Sequence, residues 1–551
     1  MNKLITNFLE KGILLSPELI NSLDLLDKKD FVKNIENYSA KGALILNKES
    51  VPVVENGVII DISWREFERA RSSFEKGRNE EEYKAFLGII NYNLSEKTKK
   101  VVDKVLEEVK EPEKKYIEKE ESSNTVPSVV ILKSYGEISK KREVKDFVSH
   151  FRARYNSIRG MLQVRQELQN ALAINRISTK PLREPVSLIG IVNDIQITKT
   201  GHLKIEVEDP SGTMTLLITK NNECFTKAQD IVLDEVIGIS GTTGDKVVFV
   251  SDLFFPDVPH TLGFKKSEDE AYAVITGDMH VGSKLFLEKE FLNFIAWLNG
   301  EYGNGKQRKI AEKVKYVFLL GDLVDGVGIY PGQEEELNIR DIREQYKSVA
   351  VFLAKIRKDI KIIITSGNHD ALRIGEPQPA QPINYAKELY EMENVSIVSN
   401  PAFVNIHSSK NFPGFDFLLY HGYSYDYYAD KVERIRLMKP NISERTDLVM
   451  KLLLQKRHLA PTHASTVYVP CDGEDPLVID RLPDFFVSGH IHRSAVLNYN
   501  NITMIAGSAW QKQTPFQDKV GHMAEPARVP VVNLKTREVS IINFWEDEPD
   551  K

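Results

Sequence analysis

The chain has 551 residues, 42% of them hydrophobic and 28% charged, which is ordinary for a soluble protein and excludes disordered, collagen-like and membrane-embedded classes. At about 150 residues per domain, that length predicts three or four domains. With 73 Lys and Arg against 79 Asp and Glu the net charge is −6, so there is no chain-wide basic footprint for nucleic acid, and any such contact is local or supplied by a partner.

Leu4, Phe8 and Leu9, then Leu19, Ile20 and Leu23, recur at helical spacing, with strand-like runs at 43–46 and 58–62. These predict a small, mostly helical N-terminal domain over residues 1–95, with nothing catalytic in it. Glu10 and Lys11 interrupt the first apolar run before it reaches signal-peptide length, and no run approaches the roughly 18 residues of a membrane span. A cytoplasmic protein without a membrane partner is expected. From Glu96 to Glu121, 17 of 26 residues are charged with both signs mixed, and with Pro112 and Pro127 this reads as a flexible charged linker over 96–140.

The next domain is expected over 141–265. Val144, Val148, Phe151, Tyr155, Ile158 and Leu162 mark the seam of an amphipathic helix. Between 185 and 255, five short alternating runs, two of them around the turn Asp209-Pro210-Ser211-Gly212, predict a small barrel of the OB-fold type. Such barrels bind single strands or dock proteins; few aromatic or basic residues line these strands, which favours docking.

From 266 to 551, apolar strands alternate with helical stretches, as in an α/β domain whose ligands gather at the carboxyl ends of strands. Each strand ends in a polar cluster: Gly277-Asp278-Met279-His280, Gly321-Asp322-Leu323-Val324-Asp325, Gly367-Asn368-His369-Asp370, His421-Gly422 and Gly489-His490-Ile491-His492. A single Asp-x-His or His-x-His is weak evidence, but five after five strands are strong. The glycines allow sharp turns through which side chains converge. Carboxylate, amide oxygen and imidazole suit two divalent metals such as manganese, iron or zinc. The only cysteines, Cys224 and Cys471, leave no sulfur-based structural zinc and no disulfide framework, which fits a reducing, intracellular setting. Two metals roughly 3.5–4 Å apart can activate water, hold a phosphate and neutralise charge in an in-line displacement.

In this order the motifs resemble the calcineurin-like metallophosphoesterase superfamily over about 271–544. The resemblance implies a two-sheet core with helices outside. It implies that Asp278, His280, Asp322 and His492 hold one metal and that Asp322, Asn368, His421 and His490 hold the other, with Asp322 bridging. It also implies that His369 protonates the leaving oxygen or stabilises the transition state, with Asp370 orienting it. The superfamily leaves the substrate open. Gly326, Val327 and Gly328 stand after Asp325, where phosphoprotein phosphatases carry an arginine.

The domain order, together with Gly321 to Gly326, Arg457 to His463 and Gly507 to Gln511, is similar to the small-subunit family of archaeal family D DNA polymerases, from about Lys141 onward. That resemblance implies a metal-dependent 3′–5′ exonuclease that proofreads DNA 3′ ends, most simply with manganese. It also implies a large subunit that carries the polymerase site. Tyr420, Tyr423, Tyr425, Tyr427 and Tyr428 could stack unpaired bases, and Arg373 and Arg493 could hold the DNA backbone; of these, Tyr423, Tyr425, Arg373 and Arg493 are the candidate DNA contacts. A sliding clamp is a further candidate partner. The competing readings are a scaffold subunit with an idle metal site and a phosphomonoesterase.

Overall fold

The computed structural model describes residues 127–136, 140–471 and 473–545, together with four two-residue strands near the N-terminus. The chain divides into two units, 1–123 and 124–551. In the first, Leu14–Leu15 pairs parallel with Ile45–Leu46 and Val54–Glu55 pairs antiparallel with Val58–Ile59. The helices expected there lie outside the described residues.

The second unit opens with a strand, β1 (Val129–Ser134), paired antiparallel with Ala402–Ile406. This corrects the linker reading of 96–140 at its C-terminal end: the Val129-Val130-Ile131-Leu132 run completes a sheet instead of remaining a tether. The amphipathic helix follows as α1 (Val144–Leu162). Its expected seam is half right. Tyr155, Ile158 and Leu162 are buried, but Val144 is 80% exposed, and the first turns bury Asp146, His150 and Arg154 instead.

Strands β2 (Pro185–Ile197), β3 (Leu203–Asp209), β4 (Gly212–Ile218), β5 (Val236–Thr243) and β6 (Val247–Phe254) close the expected five-stranded barrel in the order β6-β4-β3-β2-β5. The β3-β4 turn forms because the Asp209 carboxylate accepts the amides of Ser211 and Gly212 at 2.7 and 3.1 Å, a side chain standing in for the missing backbone acceptor. Leu188, Ile205, Val207, Leu216, Ile237 and Val248 fill the barrel.

Two six-stranded sheets follow. The first runs β10-β9-β8-β7-β16-β17, with β7 (Tyr272–Thr276), β8 (Val314–Leu320), β9 (Lys361–Thr365) and β10 (Val395–Ile397) parallel, and β16 (Arg528–Asn533) and β17 (Val539–Asn543) added antiparallel. The second runs β14-β15-β13-β12-β11-β1, built from β11 (Ala402–Ile406), β12 (Phe415–Leu419), β13 (Phe485–Ser488), β14 (Ala495–Tyr499) and β15 (Ile502–Ala506). The sheets bury Ile275, Phe318, Ile363, Val404, Phe417 and Phe485 between them, with Phe318 stacked on Phe417 at 4.6 Å between ring centroids. Helices α2 (Glu288–Leu298) and α3 (Ile342–Leu353) cover the outer face of the first sheet. Helices α4 (Tyr425–Lys431) and α5 (Thr446–Lys456) cover the second. Strands buried on both faces read as continuous apolar runs, and the carboxyl ends of β7, β8, β9, β12 and β13 meet on one edge. No helix among the described residues is long and apolar enough to cross a membrane.

Candidate metal centre

Three of the five polar clusters leave their strands through a bend that few side chains tolerate. Asp278, His280, Asp322, His490 and His492 all have φ between 47° and 72°, left-handed backbone that non-glycine residues adopt at a cost and that gathers at functional sites. Space is as tight as the backbone. Gly321, at φ 88°, would place a Cβ 2.7 Å from His421 Nδ1, and a Cβ on Gly489 would lie 2.5 Å from Asp278 Oδ2. Here glycine is what lets neighbouring strand ends approach.

Seven side chains anticipated from the motifs converge. Asp278, His280 and His492 bring one potential ligand atom each within 4.8 Å of one another, and so do Asp322, His421 and His490. Asp322 lies between the two groups, its Oδ2 3.8 Å from His280 Nε2 and 3.4 Å from His421 Nε2. Asn368 joins through Oδ1, 2.9 Å from His421 Nε2.

The hydrogen bonds of these histidines fix which ring atoms face the cluster. His421 Nδ1 donates to the Leu320 carbonyl at 2.7 Å, so in the neutral ring Nε2 carries a lone pair that faces the Asn368 oxygen. His280 Nδ1 donates to Asp325 Oδ1 at 3.1 Å, and its Nε2 lies 3.1 Å from Nε2 of His492, a ring whose Nδ1 accepts from Gln517 Nε2 at 2.9 Å. Burial disfavours charge on His421, yet the Asp322 and Asp278 carboxylates outweigh it and raise its pKa to about 10. Burial pushes Asp278 up to about 7. Burial works the same way on Asp322, but His421, His369 and His280 overcome it and hold that carboxyl well below its usual range. Oxygen and imidazole donors that draw in positive charge fit divalent metals.

Residues 271–494 match the calcineurin-like phosphoesterase family. The chain is 41% identical over 392 residues to the DNA polymerase II small subunit of Methanothermobacter thermautotrophicus, covering 71% of this chain and 78% of that one. The Archaeoglobus fulgidus subunit of the same name is 37% identical over 429 residues, covering 76% and 81%. For the Methanocaldococcus jannaschii subunit the identity is 38%, covering 71% of this chain and 64% of that one. The chain belongs to the DNA polymerase II small-subunit family. It carries a calcineurin-like phosphoesterase domain behind a closed five-stranded barrel.

In this family member His369 sits beside the cluster. Its backbone amide donates to Asp322 Oδ1 at 2.8 Å and its Nδ1 to the Asp325 carbonyl at 2.8 Å, and burial lowers its pKa. Asp370 turns away from it. The Asp370 carboxylate accepts the amides of Asp322, Leu323 and Gly367 at 3.0, 3.1 and 2.8 Å; it ties two motif loops together instead of orienting His369.

Of the expected DNA contacts, Tyr423 lines the cavity over the site, whereas Tyr425 is fully buried with its ring against Tyr420 and has no face to offer a base. Arg373 donates to the carbonyls of Gly375 and Pro377, and Arg493 pairs with Glu444 and Glu525. Neither guanidinium lines the cavity. Sequence reasoning missed Asp325 as a site residue. It holds His280 and accepts from Gln511 Nε2 at 2.9 Å and Gln333 Nε2 at 3.0 Å. Its place in the Asp322-to-Asp325 motif was the available signal.

Proposed function

We propose that this chain is the proofreading subunit of its polymerase, a 3′–5′ exonuclease that uses two divalent metals, with manganese the expected ion. The observation that carries the reading is Asp322, one carboxylate oxygen between His280 on one side and His421 on the other. Asp278, His280 and His492 would hold one ion and Asn368, His421 and His490 the other, with Asp322 shared. The ions would supply an activated water and neutralise charge on the phosphate.

The chain's own residues supply the rest. Asp325 fixes the tautomer of His280 by accepting from Nδ1, which leaves Nε2 for the metal. The Asp325 carbonyl fixes His369 in the same way, so His369 Nε2 is the ring atom available for proton transfer. Hydrolysis of the last phosphodiester joins a water oxygen to phosphorus and breaks the bond to the 3′ oxygen of the penultimate nucleotide. Protonated His369 delivers a proton to that departing oxygen, and a nucleoside 5′-monophosphate leaves.

A small subunit implies a large polymerase partner, which would supply nucleotide addition and much of the grip on DNA, since this chain carries a net charge of −6. Full occupancy of the ligand positions favours an active nuclease over a scaffold. The test is an end-labelled primer with a 3′ mismatch, incubated with the two-subunit complex and manganese. Nucleoside monophosphates released stepwise from the 3′ end support the reading. An intact primer alongside hydrolysis of a simple phosphomonoester would replace it with the phosphomonoesterase reading.

A further inference from the structure

The cavity in front of the metal cluster is larger than one phosphodiester requires. It encloses about 940 Å³, near the upper end of the roughly 300–1,000 Å³ typical of small-molecule sites. Its floor is the Asp and His cluster, and its walls are aromatic, with Tyr423 and Tyr427 on the α4 side and Phe147, Tyr468 and His463 also lining it. Among the described residues lining it, none is Lys or Arg.

Tyr423 is half-buried, with its ring centroid 5.6 Å from that of the ligand candidate His490. The half-buried Tyr427 ring is braced edge-on by Tyr428 at 5.2 Å and 81°. Tyr330 and Phe516 of the phosphoesterase domain also line the cavity, while part of the aromatic lining is braced from outside that domain. Phe147 belongs to α1, and Tyr468 stacks on His150 of the same helix at 4.8 Å and 14°. The segment carrying His463 is tied to the barrel: Thr462 Oγ1 donates to the Leu233 carbonyl at 3.1 Å and the His463 amide to Asp234 Oδ2 at 2.8 Å.

We propose that this chamber binds the unpaired nucleobase of the terminal nucleotide by stacking on Tyr423 and Tyr427, with α1 and the barrel holding Phe147, Tyr468 and His463 in place. The inference rests on the nuclease reading above. A lining without cations gains little from further phosphates. It gains from a flat π face, which every base has, so recognition is independent of sequence. A paired terminal base keeps its face in the duplex stack and must leave it to enter.

The test compares two 3′ ends, one with a terminal nucleotide bearing its base and one abasic, as single strands cleaved by the full-length chain in complex with its large subunit and manganese. The wild type is expected to bind the base-bearing end about ten-fold better in KM. Tyr423→Ala and Tyr427→Ala are each expected to shrink that preference to within about two-fold, while Tyr423→Phe keeps it; a merely structural role would lower activity on both ends alike and leave the preference intact. Equal KM for both ends in the wild type, or an undiminished preference in both alanine variants, overturns the subsite while leaving the nuclease reading standing. A wild type that cleaves neither end removes the nuclease reading, and the subsite with it.

Discussion

Arg154 of α1 donates through Nε to Asp475 Oδ2 at 2.7 Å, and both side chains are fully buried. The same guanidinium reaches the Asp234 carbonyl at 3.1 Å and the Pro461 carbonyl at 2.6 Å. One side chain thus joins the amphipathic helix, the barrel and the loop leading to the cavity wall. Asp475 is also held by His458 Nε2 at 2.8 Å. Burial raises the pKa of its carboxyl, but Arg154 and His458 outweigh that and keep it well below its usual value.

Removing one partner from such a pair leaves the other charge buried without compensation, a loss of about 3–5 kcal/mol. Arg154→Ala is therefore expected to lower unfolding free energy by about that amount in denaturant titration. A loss below about 1 kcal/mol would show that the guanidinium does not join these parts.

His458 makes the same cluster sensitive to pH. Burial is the main cause of its pKa falling to about 4, against about 6.5 in the unfolded chain. Between those values the unfolded chain binds the extra proton, so the contribution of the neutral ring is complete above about pH 6.5 and is lost as pH falls toward 4. That slope amounts to roughly 3 kcal/mol. Stability measured at pH 7 and pH 4.5 should fall less for His458→Asn than for the wild type. Equal losses would remove His458 as the source.

Asp325 should matter without touching a metal. Because it fixes His280 Nδ1 at 3.1 Å, Asp325→Ala is expected to weaken manganese binding about 10–100-fold, read by calorimetric titration with the fold intact by circular dichroism. Unchanged affinity would mean that His280 orients itself.

What could be read from the sequence divides along physical lines. The convergence of the Asp and His side chains was legible because each motif is local: an apolar strand, a glycine and a polar pair within a few residues. The barrel was legible from alternation and from the Asp209 turn. Asp370 was misread because adjacency to His369 in sequence says nothing of direction; its carboxylate points back to the amides of Asp322 and Leu323. The tyrosine run was ambiguous until α4 formed, since only then do Tyr425 and Tyr428 share the buried face while Tyr427 turns outward. Strand β1 depends on pairing with β11, far along the chain, and no local pattern encodes that partner.

In the proposed reading, metals and His369 together make a nuclease. The most direct measurement is manganese stoichiometry together with nucleotide release from a 3′-mismatched primer, for wild type and His369→Ala, each with the large subunit. Two manganese ions are expected in both proteins, with 3′–5′ cleavage by the wild type and a rate lower by about 100-fold or more in the variant. Cleavage by His369→Ala at the wild-type rate, or a wild type that binds no manganese, would contradict that reading.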